Sequence, residues 1–413
     1  MNKIDRVEGA GQQTEKLAPL AGIKVLDLSR VLAGPSAGQA LADLGADVIK
    51  VENPGLGDDT RGWGIRVGEN DSTYYYAVNR SKRSIALDLN TKEGQALAIE
   101  MATKCDVLIE NFKTGGMEKF GLDYESLSAK NPRLIYCSVS GYGRTGALKH
   151  RLGYDLVVQA EAGLMYTNGR NDDEPLKVGV AVVDLFTGMY TGQAILAALH
   201  ARERTGRGQF VDIALFDCGF ALLSYLGSSA MYSGNNPYRY GNNHPDIVPY
   251  GLFMAADGPL IITVGNDNQF HKLARDVLER PDIANDERFK VNMGRMKNRP
   301  ALMELLTAAL ATKKRDDLLA RMEKFGIPGG SVRTVTEALS SPEAAERKMT
   351  SRVPHPDVGE IPMLHSPIRL SDTPVRDPAR PPQLGEHTDE ILRTFLGKDP
   401  ETIKSLREQR IIR

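Results

Sequence analysis

Asp184 is the acid in this chain whose surroundings least resemble those of a solvated surface carboxylate. It follows an apolar run, VGVAVV, and opens a helical stretch, LFTGMYTGQAILAALHA. Helical spacing puts Asp184, Gly188 and Gly192 on one face, at i, i+4 and i+8. Two glycines inside a helix cost about 1 kcal/mol each relative to alanine. That face must therefore admit something at close range, either another backbone or a ligand. The carboxylate itself has two readings. As an N-cap it would accept a backbone N–H and contribute about 1 kcal/mol. As a nucleophile it would be kept ionised by the positive end of the helix dipole, ready to attack. The two are compatible.

Other chemistries lack their residues. The first strand-to-helix turn, RVLAGPSAG, does not carry the G-x-G-x-x-G spacing that lets a pyrophosphate approach a helix N-terminus. There is no G-x-x-x-x-G-K-[ST] loop and no G-x-S-x-G elbow. The seven histidines show neither H-x-x-x-H nor H-E-x-x-H spacing, so no metal site is expected. Cys105, Cys137 and Cys218 lie far apart, two of them in apolar runs, and read as buried thiols of a reducing compartment.

The elements that must position Asp184 alternate. Ile23–Leu28, Asp47–Val51, Ser84–Leu87, Asp106–Ile109, Leu134–Ser138 and Gln209–Ala214 read as strands, with helices to about Leu44 and over Lys92–Thr103 between them. Pro35 suits a first helical turn, where its missing N–H would have been unpaired anyway. This alternation predicts βαβ units and a Rossmann-like α/β domain with a parallel sheet. After about Ser233 the composition shifts to SGNNPYRYGNNHPDIVPY, then to a hairpin at Gly251–Ala256 and Leu260–Val264. Helices near 267–278, 299–311 and 315–324 complete a smaller α+β domain. A Pro-rich return from Pro354 to Pro382 then leads to two C-terminal helices.

With 41% hydrophobic and 25% charged residues and a net charge of −1, the chain has the balance of a globular protein without a global attraction for nucleic acid or anionic membranes. No apolar run approaches the roughly 20 residues of a membrane span. The opening segment MNKIDRVEGAGQQTEKLAPL has no apolar core of a signal peptide, so a cytoplasmic protein is expected.

The segments LAGIKVLDLSRVLAGPSAGQALADLGADVIKVENPGLGDDTRGWG, NRSKRSIALDL, DVLIENFKTGGMEKFGLDY, LIYCSVSGYGRTG, GYDLVVQAEAGLM, VDLFTGMYTGQAILAAL, RTGRGQFVDIALFD and LGEHTDEIL resemble the family III CoA-transferases. That family includes formyl-CoA:oxalate and carnitine CoA-transferases and the α-methylacyl-CoA racemases. The likeness runs from about residue 17 to the end, in order. It implies a large domain formed by residues 1–227 and 335–413, a small domain over 228–334, and two chains interlocked as a homodimer.

The resemblance also assigns residues. Asp184 falls on the family's catalytic aspartate, and Tyr154 and Asp155 on a G-Y-D motif where the racemases carry G-H-D. A tyrosine, with a pKa of about 10, is a poor base at neutral pH beside a histidine at about 6.5, which favours transfer over racemisation. A racemase or an idle CoA-binding paralogue is the alternative. Leu87, Asp88, Leu89 and Asn90, together with Asn111, Phe112 and Lys113, fall on CoA-contacting stretches. Lys119 stands where some relatives have an arginine, Arg151 is next to a position that is lysine in some, and Asn53 replaces another arginine.

By the same resemblance the acyl-CoA is a substrate, and no cofactor is held permanently. GNNHPDIVPYGLF and GNDNQFHKL resemble the succinyl-CoA:glutarate and related dicarboxylate transferases rather than the glycine run of the oxalate enzymes. Arg61, Arg80, Asn242 and His244 are then candidates for the acceptor's remote carboxylate.

Overall fold

A computed structural model describes residues 17–413. Residues 1–16, on which the targeting expectation mostly rests, lie outside the described residues. Contacts divide the chain into two units. The first holds residues up to Ala162, Gly179–Leu222 and Ala345–Arg413, and the second holds Gly163–Val178 and Leu223–Ala344.

The first unit is built on six parallel strands: β1 (Lys24–Asp27), β2 (Asp47–Glu52), β3 (Arg83–Ala86), β4 (Val107–Glu110), β5 (Ile135–Ser140) and β6 (Phe210–Ala214). Their order, β3-β2-β1-β4-β5-β6, reverses direction between β1 and β4. Open sheets of this kind take ligands at the carboxyl ends of the strands beside that switch point. Successive side chains go to opposite faces. Val25, Val48, Ile109 and Ile135 pack under α1 (Ala33–Asp43) and α5 (Val182–Thr205), with Ala37, Leu41 and Ile195. Leu26, Ile49, Leu108 and Tyr136 pack on the other face against α3 (Lys92–Lys104) and the C-terminal segment, with Leu97, Met101, Ile391 and Leu406. Burial on both faces explains why these strands read as short continuous apolar runs. Two further helices matter below, α2 (Thr73–Ala77) and α4 (Asp155–Glu161).

Helix α5 corrects the expectation about apolar runs. It has 24 residues and is long and apolar enough to span a bilayer by length and composition. One face of it packs on α1, β5 and β6, and helices that pack on a core share that composition. The Pro-rich return is not all coil either. Thr350–His355 and Gly359–Leu364 form an antiparallel hairpin containing Pro354 and Pro362. A two-stranded ribbon is edge on both sides, so a proline can sit where no ladder hydrogen bond is needed.

In the second unit Tyr250–Ala255 and Gly258–Thr263 form a hairpin, with Gly329–Ser331 as a third antiparallel strand. Phe253, Leu260, Phe270, Leu302, Leu306 and Leu318 form its own core with the helices Arg299–Leu310 and Arg315–Phe325. Arg239 donates to the carbonyls of Asn171 and Asp173, binding the Gly163–Val178 excursion into this unit. The sequence reading had no signal for that excursion.

Candidate active site

Asp184 is the third residue of α5, and the N-cap is Ala181, whose side chain has nothing to offer. The N-cap reading of Asp184 is therefore corrected. The orphan donors are taken by a residue from another helix. Asp155, the first residue of α4, accepts the Val183 N–H at 2.8 Å and the Asp184 N–H at 3.3 Å on Oδ1. Its Oδ2 accepts from the Nε2 of buried Gln159 at 2.6 Å. Asp155 thus fixes the backbone that carries Asp184.

The electrostatic expectation changes with it. Burial first, and the Asp155 charge second, push the Asp184 carboxyl from 3.8 up to about 7. A helix N-terminus would have held it ionised, but here its donors already serve Asp155, while desolvation disfavours the charged form. No hydrogen bond to the Asp184 carboxylate is formed among the described residues. The result is a partly buried acid that is more basic than a free carboxylate and free of partners.

At Gly188, though not at Gly192, the glycine face behaves as one of its two readings required. A Cβ on Gly188 would overlap the Ser36 hydroxyl and lie 2.9 Å from the Ala33 carbonyl. Close backbone approach of α1 is what that glycine permits. Gly192, by contrast, would meet nothing within 4 Å, so its absence of a side chain is unexplained by packing.

Tyr74 completes the local group, and the sequence reading missed it. Its phenol, on α2, is pushed up by burial and then by the Asp184 and Asp155 charges, so it lies within electrostatic reach of the pair. Trp63 meets Tyr74 edge-on at 5.4 Å between ring centroids. The TYYY run that contains Tyr74 marks an aromatic cluster, but local spacing does not say which ring faces an acid. Tyr154 is 64% exposed and lines a cavity with Trp63.

A separate cavity of about 230 Å³ opens at the carboxyl ends of β1, β2 and β3. Leu87, Leu89, Asn90 and Phe112 all line it, with Leu28, Arg30 and Phe120. Asp88 and Asn53 line a neighbouring cavity, and Asn53 lines both. Asn111 instead bridges the loop after β1, accepting the Arg30 N–H at 2.9 Å and donating to its carbonyl at 2.7 Å. Lys113 lies in a third cavity with Tyr124, Tyr136 and Arg144. Lys119, in the short turn Glu118–Phe120, lines none of these cavities. Arg151 pairs with Glu161 and lies over the Tyr142 ring.

Two of the carboxylate candidates are corrected. Arg61 is buried and its guanidinium is shared between Glu52 and Asp71, with a further bond to the Pro382 carbonyl. Arg80 is buried in a forked pair with Asp43. Charges compensated in this way are poor receptors for another carboxylate, because a buried cation cannot leave its partner without a large desolvation cost. Asn242 and His244 belong to the second unit, where His244 accepts the Asp246 N–H on Nδ1 and meets the Tyr225 and Tyr250 rings. Among the described residues no three His, Cys, Asp or Glu side chains converge on a metal site.

The profile of CoA-transferase family III matches residues 20–388. The chain is 45% identical over 380 residues to a succinate–glutarate CoA-transferase of Agrobacterium fabrum, covering 91% of this chain and 95% of that one. It is 38% identical over 390 residues to a human succinyl-CoA:glutarate CoA-transferase, covering 94% and 89%. Among solved structures, a CAIB/BAIF family protein from Brucella suis superposes with a TM-score of 0.83 at 47% identity, over 92% of this chain and all of that one.

Proposed function

The chain belongs to CoA-transferase family III, and we propose that within it the enzyme moves CoA from succinyl-CoA to a dicarboxylate such as glutarate, with Asp184 as the nucleophile. The observation that carries this reading is the partner-free Asp184 carboxylate, raised to about 7 and held by Asp155 at the head of α5.

A thioester and a free acid exchange CoA at nearly zero net free energy, yet carboxylates attack thioesters slowly in water. An enzyme carboxylate divides the reaction into easier steps. The Asp184 carboxylate attacks the acyl carbonyl of the donor, the C–S bond breaks, and CoA leaves as thiolate from a mixed anhydride. The thiolate attacks the aspartyl carbonyl and releases the donor acid, leaving an aspartyl–CoA thioester. The acceptor carboxylate attacks that thioester, the thiolate leaves again, and it then attacks the acceptor's carbonyl in the new anhydride. Acyl-CoA product departs and Asp184 is restored. These steps balance without a metal or redox cofactor. The raised basicity of Asp184 favours attack, and partial burial protects the anhydride from water.

The cavity at the strand ends suits the nucleotide end of CoA, with apolar walls at Leu28, Leu87, Leu89 and Phe112. Tyr154 in place of a histidine favours transfer over racemisation. Leu185, Met189, Tyr190 and Leu196 leave apolar surface exposed on α5, which supports an interlocked homodimer; a monomer in sedimentation at micromolar concentration would refute that part. We place the enzyme in the cytoplasm, consistent with three free cysteines.

Incubation with succinyl-CoA and hydroxylamine should convert Asp184 to a hydroxamate, read as a peptide mass. The Asp184→Asn variant should fold, bind CoA and transfer nothing. Near-normal activity of that variant, with no adduct on wild type, would remove Asp184 from the mechanism. Rates with glutarate, malate, itaconate, oxalate and carnitine test the acceptor class, and a preference for oxalate or carnitine would overturn it.

A further inference from the structure

CoA brings a 3′-phosphate and a pyrophosphate, together about four negative charges at neutral pH. Of the two cations at the first cavity, one is enclosed and the other is shared with a surface carboxylate. Lys50 is fully enclosed and bound to Asp58 and to the Ser29 carbonyl. Arg30 lies 3.4 Å from Asp59. The cavity wall at Asn53 is neutral.

The missing charge stands next door, on a segment distant in sequence. A second cavity of about 350 Å³ adjoins the first through Asn53, and Gly55, Asp88, Arg410 and Arg413 line it. Arg413 also lines the cavity that holds Tyr154 and Trp63. Neither arginine is paired with a carboxylate among the described residues. Both are exposed, yet the backbone between them is fixed. Ile411 and Ile412 are 2% and 3% exposed, in the core beside Leu87. The Ile411 carbonyl accepts the Asp88 N–H at 2.8 Å, and Ile412 bridges to Leu87. Two buried isoleucines thus hold a free arginine on either side at the rim. Asp88 brings one opposing charge, and its Oδ1 is occupied by the N–H and side-chain amide of Asn90.

We infer that Arg410 and Arg413 bind a phosphate of CoA at the rim of its cleft. This rests on the functional reading above. Charge-assisted bonds from arginine to phosphate are among the stronger contacts a rim can make. The C-terminal segment then completes the CoA site in the same chain as Asp184.

The test compares wild type with the double variant Arg410→Asn, Arg413→Gln. Asparagine is chosen because Arg410 has φ +60°, a conformation it tolerates. CoA binding by calorimetry and KM for succinyl-CoA should weaken by roughly tenfold or more, with kcat unchanged and a shallower salt dependence. The double lysine variant should recover most of the affinity. Dephospho-CoA separates the phosphates: equal binding to wild type and variant assigns the contact to the 3′-phosphate, and a persisting deficit assigns it to the pyrophosphate. A variant that binds CoA as tightly as wild type would overturn this inference and leave the functional reading intact. Wild type failing to bind CoA at all would overturn the functional reading itself.

Discussion

Burial and the Asp155 charge raise Asp184 from 3.8 to about 7, so Asp184→Asn is expected to make the folded protein more stable at pH 8 while abolishing transfer. From about pH 4 to about pH 7 the folded chain keeps a proton that the unfolded chain has released. Wild-type stability therefore falls as pH rises through that window and levels off above it. At about 1.4 kcal/mol for each tenfold change in proton affinity, the full rise corresponds to about 4 kcal/mol. The carboxylate is partly open to solvent, which screens its charge and reduces the expected gain to roughly 2 kcal/mol. Asparagine has nearly the same shape and no charge, so the gain should be near zero at about pH 4 and complete above about pH 7. Urea unfolding of both proteins at pH 4.5 and pH 8, analysed as the difference between them, measures it. A variant no more stable than wild type at pH 8 would refute the reasoning. So would a gain of equal size at both pH values, which would point to packing instead of charge.

Four other outcomes are expected. The transfer rate should fall below about pH 7 as Asp184 protonates, with Asp155 and Tyr74 the titratable groups facing it. Asp155→Asn keeps an oxygen for the α5 N–H groups but removes a negative charge, so the fall should move to lower pH; an unmoved limb would show that Asp155 acts only as a cap. Gly188→Ala should cost about 1–3 kcal/mol or more by forcing α1 from α5, while Gly192→Ala should be neutral or gain up to about 1 kcal/mol; equal effects in thermal unfolding would contradict the helix contact. Arg61→Ala leaves Glu52 and Asp71 without their shared partner and should destabilise by about 3–5 kcal/mol in denaturant titration.

The sequence by itself determined a good deal. Apolar strands alternating with helices fixed a parallel sheet, because each strand must be covered on both faces. The junction of VGVAVV with a long helix located Asp184 at a helix entrance, and the glycine spacing marked a face open to close approach by a backbone or a ligand, of which Gly188 proved to admit a backbone. The family resemblance singled out Leu87, Leu89, Asn90 and Phe112, and in the structure they line one cavity just past the strand ends.

Tertiary structure decided what depends on partners remote in the chain. Periodicity reports which side of an element is buried, and it carries no record of which charge lies opposite. Arg61 and Arg80 therefore read as free cations in the sequence, and only folding placed Glu52, Asp71 and Asp43 against them. Asp184 read as helix cap and nucleophile at once, and only the packing of α4 on α5 gave the capping task to Asp155 and raised the acid it displaced. The arginines at 410 and 413 lie at the far end of the chain from Leu87, and two buried isoleucines bring them to its cavity. Local pattern sets the elements; the charge a site presents is set by long-range pairing, where desolvation makes each partner decisive.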